Sequence, residues 1–369
     1  MDKFQEYRKY FPITEKFIYL NHASTAPLNL YSLSKASEYL KVLESEGEAS
    51  WDFLRSISEE TRRKLSALLQ VKEKEIAFVQ NTSLGINMVI ESLDWEEGDE
   101  ILLLEGSFPA LRYPLVYNRY GAKVVEVSMK DMKEALSAKT KLVAVEWVNY
   151  FTGERADLEY LRTLKSRHSF YLLVDAIQGV GAIPFFPKDW KVDFAVCGTS
   201  KWLLGPQGLG MLYIDEETFN DLNVGFVGWL SCPWDGFSNF SNLPEPFRDV
   251  RVFETGTKNY WALAYLGGNL DMVLDLGIDL ISERIEKFMN SLMEELTFAD
   301  ILTPRNSERH AGIFTFRLPG VDSCDLHHYL EKQGIRTSLR NGYIRISPHF
   351  YNSWDELNNF IGIIKHKIK

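Results

Sequence analysis

Residues 170–176 read FYLLVDA, and residues 192–215 read VDFAVCGTSKWLLGPQGLGMLYID. The first stretch runs apolar without a break into Asp175. A strand that is apolar on both faces belongs in a sheet covered by helices on both sides. Asp175, at its end, would then lie at the mouth of that sheet. In the second stretch the strand VDFAVCG hands over to the small residues Gly198, Thr199 and Ser200, and then to Lys201. Gly205, Gly208 and Gly210 follow and allow tight turns before another strand, GMLYID.

Upstream, apolar strands alternate with amphipathic helices. EIAFVQ (75–80) is followed by NTSLGINMVIESL, a turn that opens a helix, and ILLLE (101–105) by SFPALRYPLVYNRY. AKVVEV precedes KDMKEAL, and KLVAVEWV precedes ADLEYLRTLKSRH. Residues 54–70 carry Leu54, Ile57, Leu65 and Leu68 at helical spacing. This alternation predicts an α/β fold, a three-layer αβα unit with a mostly parallel sheet. In such sheets ligands bind beyond the carboxyl ends of the strands. After residue 216 the pattern changes. A loop-rich stretch, GFVGWLSCPWDGFSNFSNLPEPF, leads to a long helical region over 258–296. GIFTFRL (312–318), a helix near 324–333, YIRISP (343–348) and a final helix from 353 predict a smaller α+β domain. The expected division is 16–270 for the large domain, with 1–15 and 271–369 forming the small one.

Composition narrows the function. The chain has 369 residues and a formal net charge of -10, which argues against sequence-independent nucleic-acid binding. Its three cysteines, Cys197, Cys232 and Cys324, are scattered and form neither a disulfide framework nor a zinc pattern. The polar, aromatic start is not a secretory signal. No apolar run approaches the ~20 residues needed to span a bilayer. A cytoplasmic protein without membrane or nucleic-acid partners is expected, and no metal.

Several strand ends carry side chains suited to a pyridoxal phosphate (PLP) site. Such a site needs a lysine to hold the cofactor aldehyde and a carboxylate to keep the pyridinium nitrogen protonated. It also needs hydroxyls and N–H groups at a helix start for the phosphate, and a cation for the substrate carboxylate. Lys201 and Asp175 meet the first two needs, and Gln178 can donate to the ring's phenolic oxygen. Thr82 and Ser83 lie where a strand passes to a helix.

The order and spacing of YLNHASTAP (19–27), VDAIQGVGAIP, SKWLLGPQGLG, FETGTKNY and SPHFYNSWDEL (347–357) make the chain resemble the class V aminotransferase superfamily of fold-type I PLP enzymes. That group includes cysteine desulfurases, kynureninases and isopenicillin-N-epimerase-like proteins. The resemblance implies that Lys201 is the Schiff-base lysine, Asp175 the pyridinium partner and Gln178 the phenolate partner. It implies that Thr82 and Ser83 hold the phosphate with Ser200 or Thr199, and that Phe108 stacks on the ring. Tyr150 and Asn149 would line the substrate side, Arg345 would bind the substrate carboxylate, and Asn21 and His22 would enter the site from the N-terminal segment. Thr257 would reach the phosphate of a partner subunit, making a homodimer. Ser200 stands where the family often has His or Tyr.

Plainer readings stand beside these. Asp175, Thr82 and Ser83 could cap helices, Phe108 could be a core aromatic, and Arg345 could make a structural ion pair. His22 could make only a local backbone hydrogen bond. His327 and His328, in LHHYL, read as surface or interdomain residues. Trp229 and Trp234 read as entrance, packing or interface. The implied activity is aminotransferase-like chemistry on an α-amino acid, with a lyase or epimerase as the alternative. Desulfuration by an enzyme thiol is disfavoured, because GIRTSLRNGYIR, before the carboxylate-binding arginine, has no cysteine. Cys232, in an unplaced loop, is the one serious candidate for such a thiol. A non-catalytic binding protein on the same fold is the reading from another class.

Overall fold

The computed structural model describes residues 3–233 and 244–368; Trp234 lies outside the described residues. Seven strands form the central sheet: β1 (Ile76–Val79), β2 (Glu100–Leu104), β3 (Lys123–Val127), β4 (Thr140–Glu146), β5 (Tyr171–Asp175), β6 (Phe194–Gly198) and β7 (Gly210–Ile214). Their order is β1-β7-β6-β5-β4-β2-β3. All neighbours are parallel except β7, which runs antiparallel to both β6 and β1. Six strands therefore point the same way, and the residues that follow them gather at one edge.

The uninterrupted apolar runs have a direct structural cause. Along β5, Leu172 and Val174 enter one hydrophobic core and Leu173 the other. On β6, Ala195 and Cys197 face the first core, and Phe194 and Val196 the second. Successive side chains point to opposite faces, and both faces are covered, so every position is apolar.

The helices that matter for the site are α1 (Thr82–Ser92), α2 (Pro109–Val116) and α3 (Leu158–Lys165). Asn81 caps α1 by accepting the N–H of Leu84 at 2.9 Å. Gly85 lets α1 lie directly on β6, because a Cβ there would come within 2.6 Å of a Val196 methyl. The amphipathic helix expected at 54–70 spans Trp51–Leu69. Two expected helices are shorter than their sequence patterns. SFPALRYPLVYNRY is helical only over α2, which Pro109 opens, since proline suits a first helical position. KDMKEAL makes one turn, Met132–Ala135. The long helical region is two helices, α4 (Tyr260–Leu276) and α5 (Ile278–Glu295), separated by Gly277 at φ 82°.

A second sheet of four antiparallel strands follows: β8 (Asp300–Ile301), β9 (Phe314–Arg317), β10 (Ser338–Arg340) and β11 (Tyr343–Ile346), in the order β10-β11-β9-β8. Asn341 (φ 47°) and Gly342 (φ 77°) make the two-residue turn between β10 and β11, the left-handed pair that a tight hairpin requires. Helices α6 (Ser323–Lys332) and α7 (Trp354–Ile368) complete this part.

The N-terminal segment ties the two sheets together. Asn21 bridges Ser347, the Ala23 N–H donates to Ser347 Oγ at 2.9 Å, and the Ala26 N–H donates to the Ser200 carbonyl at 2.8 Å. Residues 21–26 thus lie between the end of β11 and the loop that carries Lys201.

Candidate active site

Most of the groups expected at the site follow the carboxyl end of a strand in the central sheet. Thr82 and Ser83 follow β1, Phe108 follows β2, Tyr150 follows β4, Asp175 ends β5 and Lys201 follows β6.

Asp175 is fully buried. Its Oδ1 accepts the N–H of Ile177 at 3.1 Å, while its Oδ2 has no hydrogen-bond partner. A buried acceptor without a donor costs free energy, and burial pushes the carboxyl pKa up to about 6. The Lys201 ammonium opposes that shift without cancelling it. An N–H donor such as a protonated pyridine nitrogen would satisfy Oδ2 and restore the ionised form.

Lys201 is largely withdrawn from solvent, and burial lowers its pKa. Asp175 works against that shift and Arg345 adds to it. A lysine with a weakened hold on its proton is a better nucleophile and base. Its Nζ lies 5.6 Å from the centroid of the Phe108 ring, so Phe108 faces the amine. The loop around Lys201 is held by close approach. Gly181, at φ 98°, brings its Cα so near the Trp202 carbonyl that a Cβ would sit 2.3 Å from the oxygen.

At the phosphate end, Thr82 and Ser83 begin α1, where backbone N–H groups lack helical partners. The Thr82 hydroxyl already accepts the Gly198 N–H at 3.0 Å, so it joins α1 to the end of β6. Thr199 differs from the expectation. It is fully buried, and its hydroxyl is directed to the carbonyls of Pro206 and Leu209 at 3.1 and 3.0 Å. The structure gives Thr199 the task of bracing the glycine tract and leaves Ser200 as the partly exposed hydroxyl beside Lys201.

Gln178 is buried with both polar ends engaged. Its Nε2 donates to the Ala23 carbonyl at 3.0 Å, and its Oε1 accepts the Trp202 indole N–H at 2.9 Å. One amide hydrogen remains for a ring oxygen.

Arg345 reaches the same area from β11. Its Nη1 donates to the Tyr150 carbonyl at 2.6 Å and its Nη2 to Ser24 Oγ at 2.7 Å. Its Nε is buried without a partner, and burial lowers the guanidinium pKa to about 10. Among the described residues no carboxylate forms an ion pair with it. A carboxylate is the group this cation lacks.

The remaining expectations divide. Tyr150 packs edge-on against Phe108, with ring centroids 4.9 Å apart. Asn149 organises its own turn, its Oδ1 accepting the N–H groups of Phe151 and Thr152 at 3.0 and 2.9 Å. Asn21 accepts from Ser338 Oγ at 2.7 Å. His22 does not line an open site. It is fully buried, with Nδ1 against the Ser347 carbonyl at 3.2 Å and Nε2 against the Tyr351 hydroxyl at 2.8 Å. Burial and the neighbouring His349 hold it neutral. Thr257 is exposed in the loop before α4.

The three thiols differ in their surroundings. Cys197 is buried in β6, where burial raises its pKa. Cys324 is exposed on α6, 3.7 Å from His328 Nδ1. The partly buried Cys232 thiol points at the Pro244 carbonyl at 3.5 Å. His327 bonds Thr337 Oγ1 at 3.0 Å, and no metal-binding cluster is found among the described residues. Trp229 packs on Trp51, ring centroids 5.9 Å apart.

Sequence reasoning missed Glu146. It ends β4, is 2% exposed, and is the direct Cα partner of Asp175 across the β4–β5 pair. The strand KLVAVEWV runs apolar on either side of it, and nothing in that pattern marks this one carboxyl; only the strand order shows that it is enclosed beside Asp175. A cavity of about 1080 Å³ is lined by Glu146, Asn149 and Tyr150, together with Arg155, Tyr160 and Trp190. It neighbours the cradle of Lys201, Asp175 and Arg345, none of which lines it.

A buried acceptor beneath a lysine, set beside a helix start and an arginine short of an anion, is the arrangement the family resemblance implied. The aminotransferase class-V family model matches residues 18–360. The chain belongs to that family. A probable cysteine desulfurase of Pyrococcus abyssi is 26% identical, over 99% of this chain and 98% of the relative. A kynureninase of Shouchella clausii is also 26% identical, over the whole of this chain and 92% of the relative. Among solved structures, the apo cysteine desulfurase of Thermococcus onnurineus NA1 superposes with a TM-score of 0.87 at 24% identity, covering 98% of this chain and 97% of that one. The fold is that of the fold-type I enzymes. The family is PLP-dependent, and the donor set fits that cofactor. Asp175 Oδ2 would take the ring N–H, Lys201 would attach the aldehyde, and the start of α1 with Ser200 would hold the phosphate. Bound there, the cofactor supplies an electron sink for bonds at an amino acid's Cα.

Proposed function

We propose that this protein is a PLP-dependent enzyme of the lyase type, which cleaves the side chain of an α-amino acid beyond Cα. The observation that carries the amino-acid reading is the pair of buried groups without partners. Asp175 Oδ2 needs a donor and Arg345 Nε needs an acceptor, and a pyridinium N–H and an α-carboxylate answer them. Arg345 holds the carboxylate, Lys201 takes and returns the proton at Cα, and Phe108 faces the ring. The names of the full-length relatives, a probable desulfurase and a kynureninase, support cleavage over the amino transfer expected from sequence. Cys197 is buried, and neither Cys232 nor Cys324 lines the cavity beside Glu146 and Tyr150, which favours a route that does not pass sulfur to an enzyme thiol.

The working unit proposed is a homodimer in which Thr257 reaches the partner's phosphate. Its exposed loop and the exposed Leu28, Leu30, Phe226, Val227 and Trp229 support a covered face. Among the described residues no helix is long and apolar enough to cross a membrane.

Product analysis tests the reading. PLP-loaded protein is incubated with single L-amino acids, including cysteine, cystine and kynurenine. Many turnovers of alanine or pyruvate release are expected with at least one of them. Stoichiometric bleaching of the visible band that a keto acid reverses, with no cleavage product, would replace lyase chemistry by amino transfer.

A further inference from the structure

Glu146 has no part in the roles above, yet it is enclosed beside Asp175. Burial and the Asp175 charge both push its pKa well above the ordinary range; Lys201 and backbone N–H groups of Tyr150 and Phe108 pull against them. Its Oε1 accepts the Tyr150 N–H at 3.0 Å, and its Oε2 lies 3.4 Å from Asn149 Nδ2. Both donors belong to the loop after β4, and the same Asn149 amide donates to the Gly106 carbonyl in the loop after β2 at 3.2 Å. Each loop presents something to the cradle. Phe108 turns its ring toward Lys201. Tyr150 packs on that ring and offers its carbonyl to Arg345.

We propose that Glu146 is a positioning residue: one buried carboxyl holds Tyr150 and, through Asn149, the loop after β2, and so fixes the cofactor-facing ring of Phe108 together with the carbonyl that orients Arg345. This rests on the PLP reading. A carboxyl has two acceptor oxygens and can take both the Tyr150 N–H and the Asn149 amide, whereas an amide has one and turns an NH2 group toward the second donor. Glu146→Gln keeps the shape and releases one of the two donors.

The test is a double-mutant cycle on cofactor binding. Cofactor-free wild type, Glu146→Gln, Phe108→Ala and the double variant are titrated with PLP, followed by tryptophan fluorescence and by circular dichroism of the bound cofactor. Glu146→Gln is expected to weaken binding about tenfold, as loss of a supporting hydrogen bond does at other sites, and to reduce the cofactor's dichroism. In the Phe108→Ala background the same change is expected to cost less than about threefold, because coupled residues are not additive. Equal factors in both backgrounds, or no effect in either, would overturn the proposal. If the Gln variant does not fold, Glu146→Asp enters the same cycle, being too short to reach both donors, with the same two readings. A wild type that binds no PLP would instead refute the cofactor reading, which keeps the two failures apart.

Discussion

Replacing Asp175 by asparagine in the cofactor-free protein should change its stability in a way that depends on pH. The Asp175 carboxyl titrates near 6 in the folded chain, against 3.8 for the ordinary group. A raised folded pKa means that the protonated form favours the fold. Its contribution is complete below the ordinary value and is lost as pH rises through 6. At about 1.4 kcal/mol per unit, the whole range is worth about 3 kcal/mol, of which about 1.4 kcal/mol falls between about pH 5 and pH 8. Asparagine cannot ionise, so Asp175→Asn should gain on wild type by that amount across the interval. Any constant offset, such as the new amide NH2 where Oδ2 had no partner, cancels. Urea unfolding of both proteins without cofactor, at one fixed protein concentration because assembly shifts apparent stability, gives the difference at each pH. A difference that stays constant or narrows with rising pH would refute the reasoning. With PLP present Asp175→Asn should instead lose stability relative to wild type, since only the carboxylate can pair with a charged ring nitrogen.

Three further outcomes follow from buried groups. His349 is buried with a pKa pushed down to about 4, its Nδ1 accepting the Phe350 N–H and its Nε2 donating to the Trp202 carbonyl. Its contribution is present above about pH 6.5 and lost as pH falls toward 4, worth about 3 kcal/mol; acid unfolding curves of wild type and His349→Gln should diverge across that window and run parallel above it. Gly181→Ala forces a left-handed residue and a 2.3 Å approach to the Trp202 carbonyl, so a loss of more than about 2 kcal/mol is expected by chemical denaturation; an unchanged midpoint would contradict the packing described. Arg345→Lys exchanges a fork of donors for a point charge and should raise the amino-acid concentration needed for half-maximal cofactor spectral change about 100-fold, from the roughly 2–5 kcal/mol of a truncated buried charge pair, while PLP binding stays nearly intact.

The parts of the fold legible in the sequence are those where one physical demand dominates. The strands around Asp175 and Lys201 are apolar at every position because both faces are buried. The Asn-Gly pair at 341–342 carried a hairpin signal that was not used, and the strand at 338–340 was missed with it. Two-residue β8 offers no periodicity to detect. At the site, Lys201, Asp175 and Arg345 are expected because the proposed chemistry needs an amine, a carboxylate and a cation, and the structure sets the three within electrostatic reach of one another. His22 and Thr199 were placed by motif alone, and motif does not say which way a side chain turns. His22 turns into a core formed with Tyr351 and His349, and Thr199 turns toward the glycine tract. Glu146 is the opposite case, a residue whose role depends on which strand lies beside it.

The central claim is that Lys201 carries the cofactor. The direct measurement is borohydride reduction of the PLP-loaded protein, followed by proteolysis and mass spectrometry of the lysine-containing peptides. One reduced pyridoxyl adduct per chain on Lys201, absent in Lys201→Ala, is the predicted result. An adduct on another lysine in a protein that retains its visible band, or no stable adduct at all, would contradict the account.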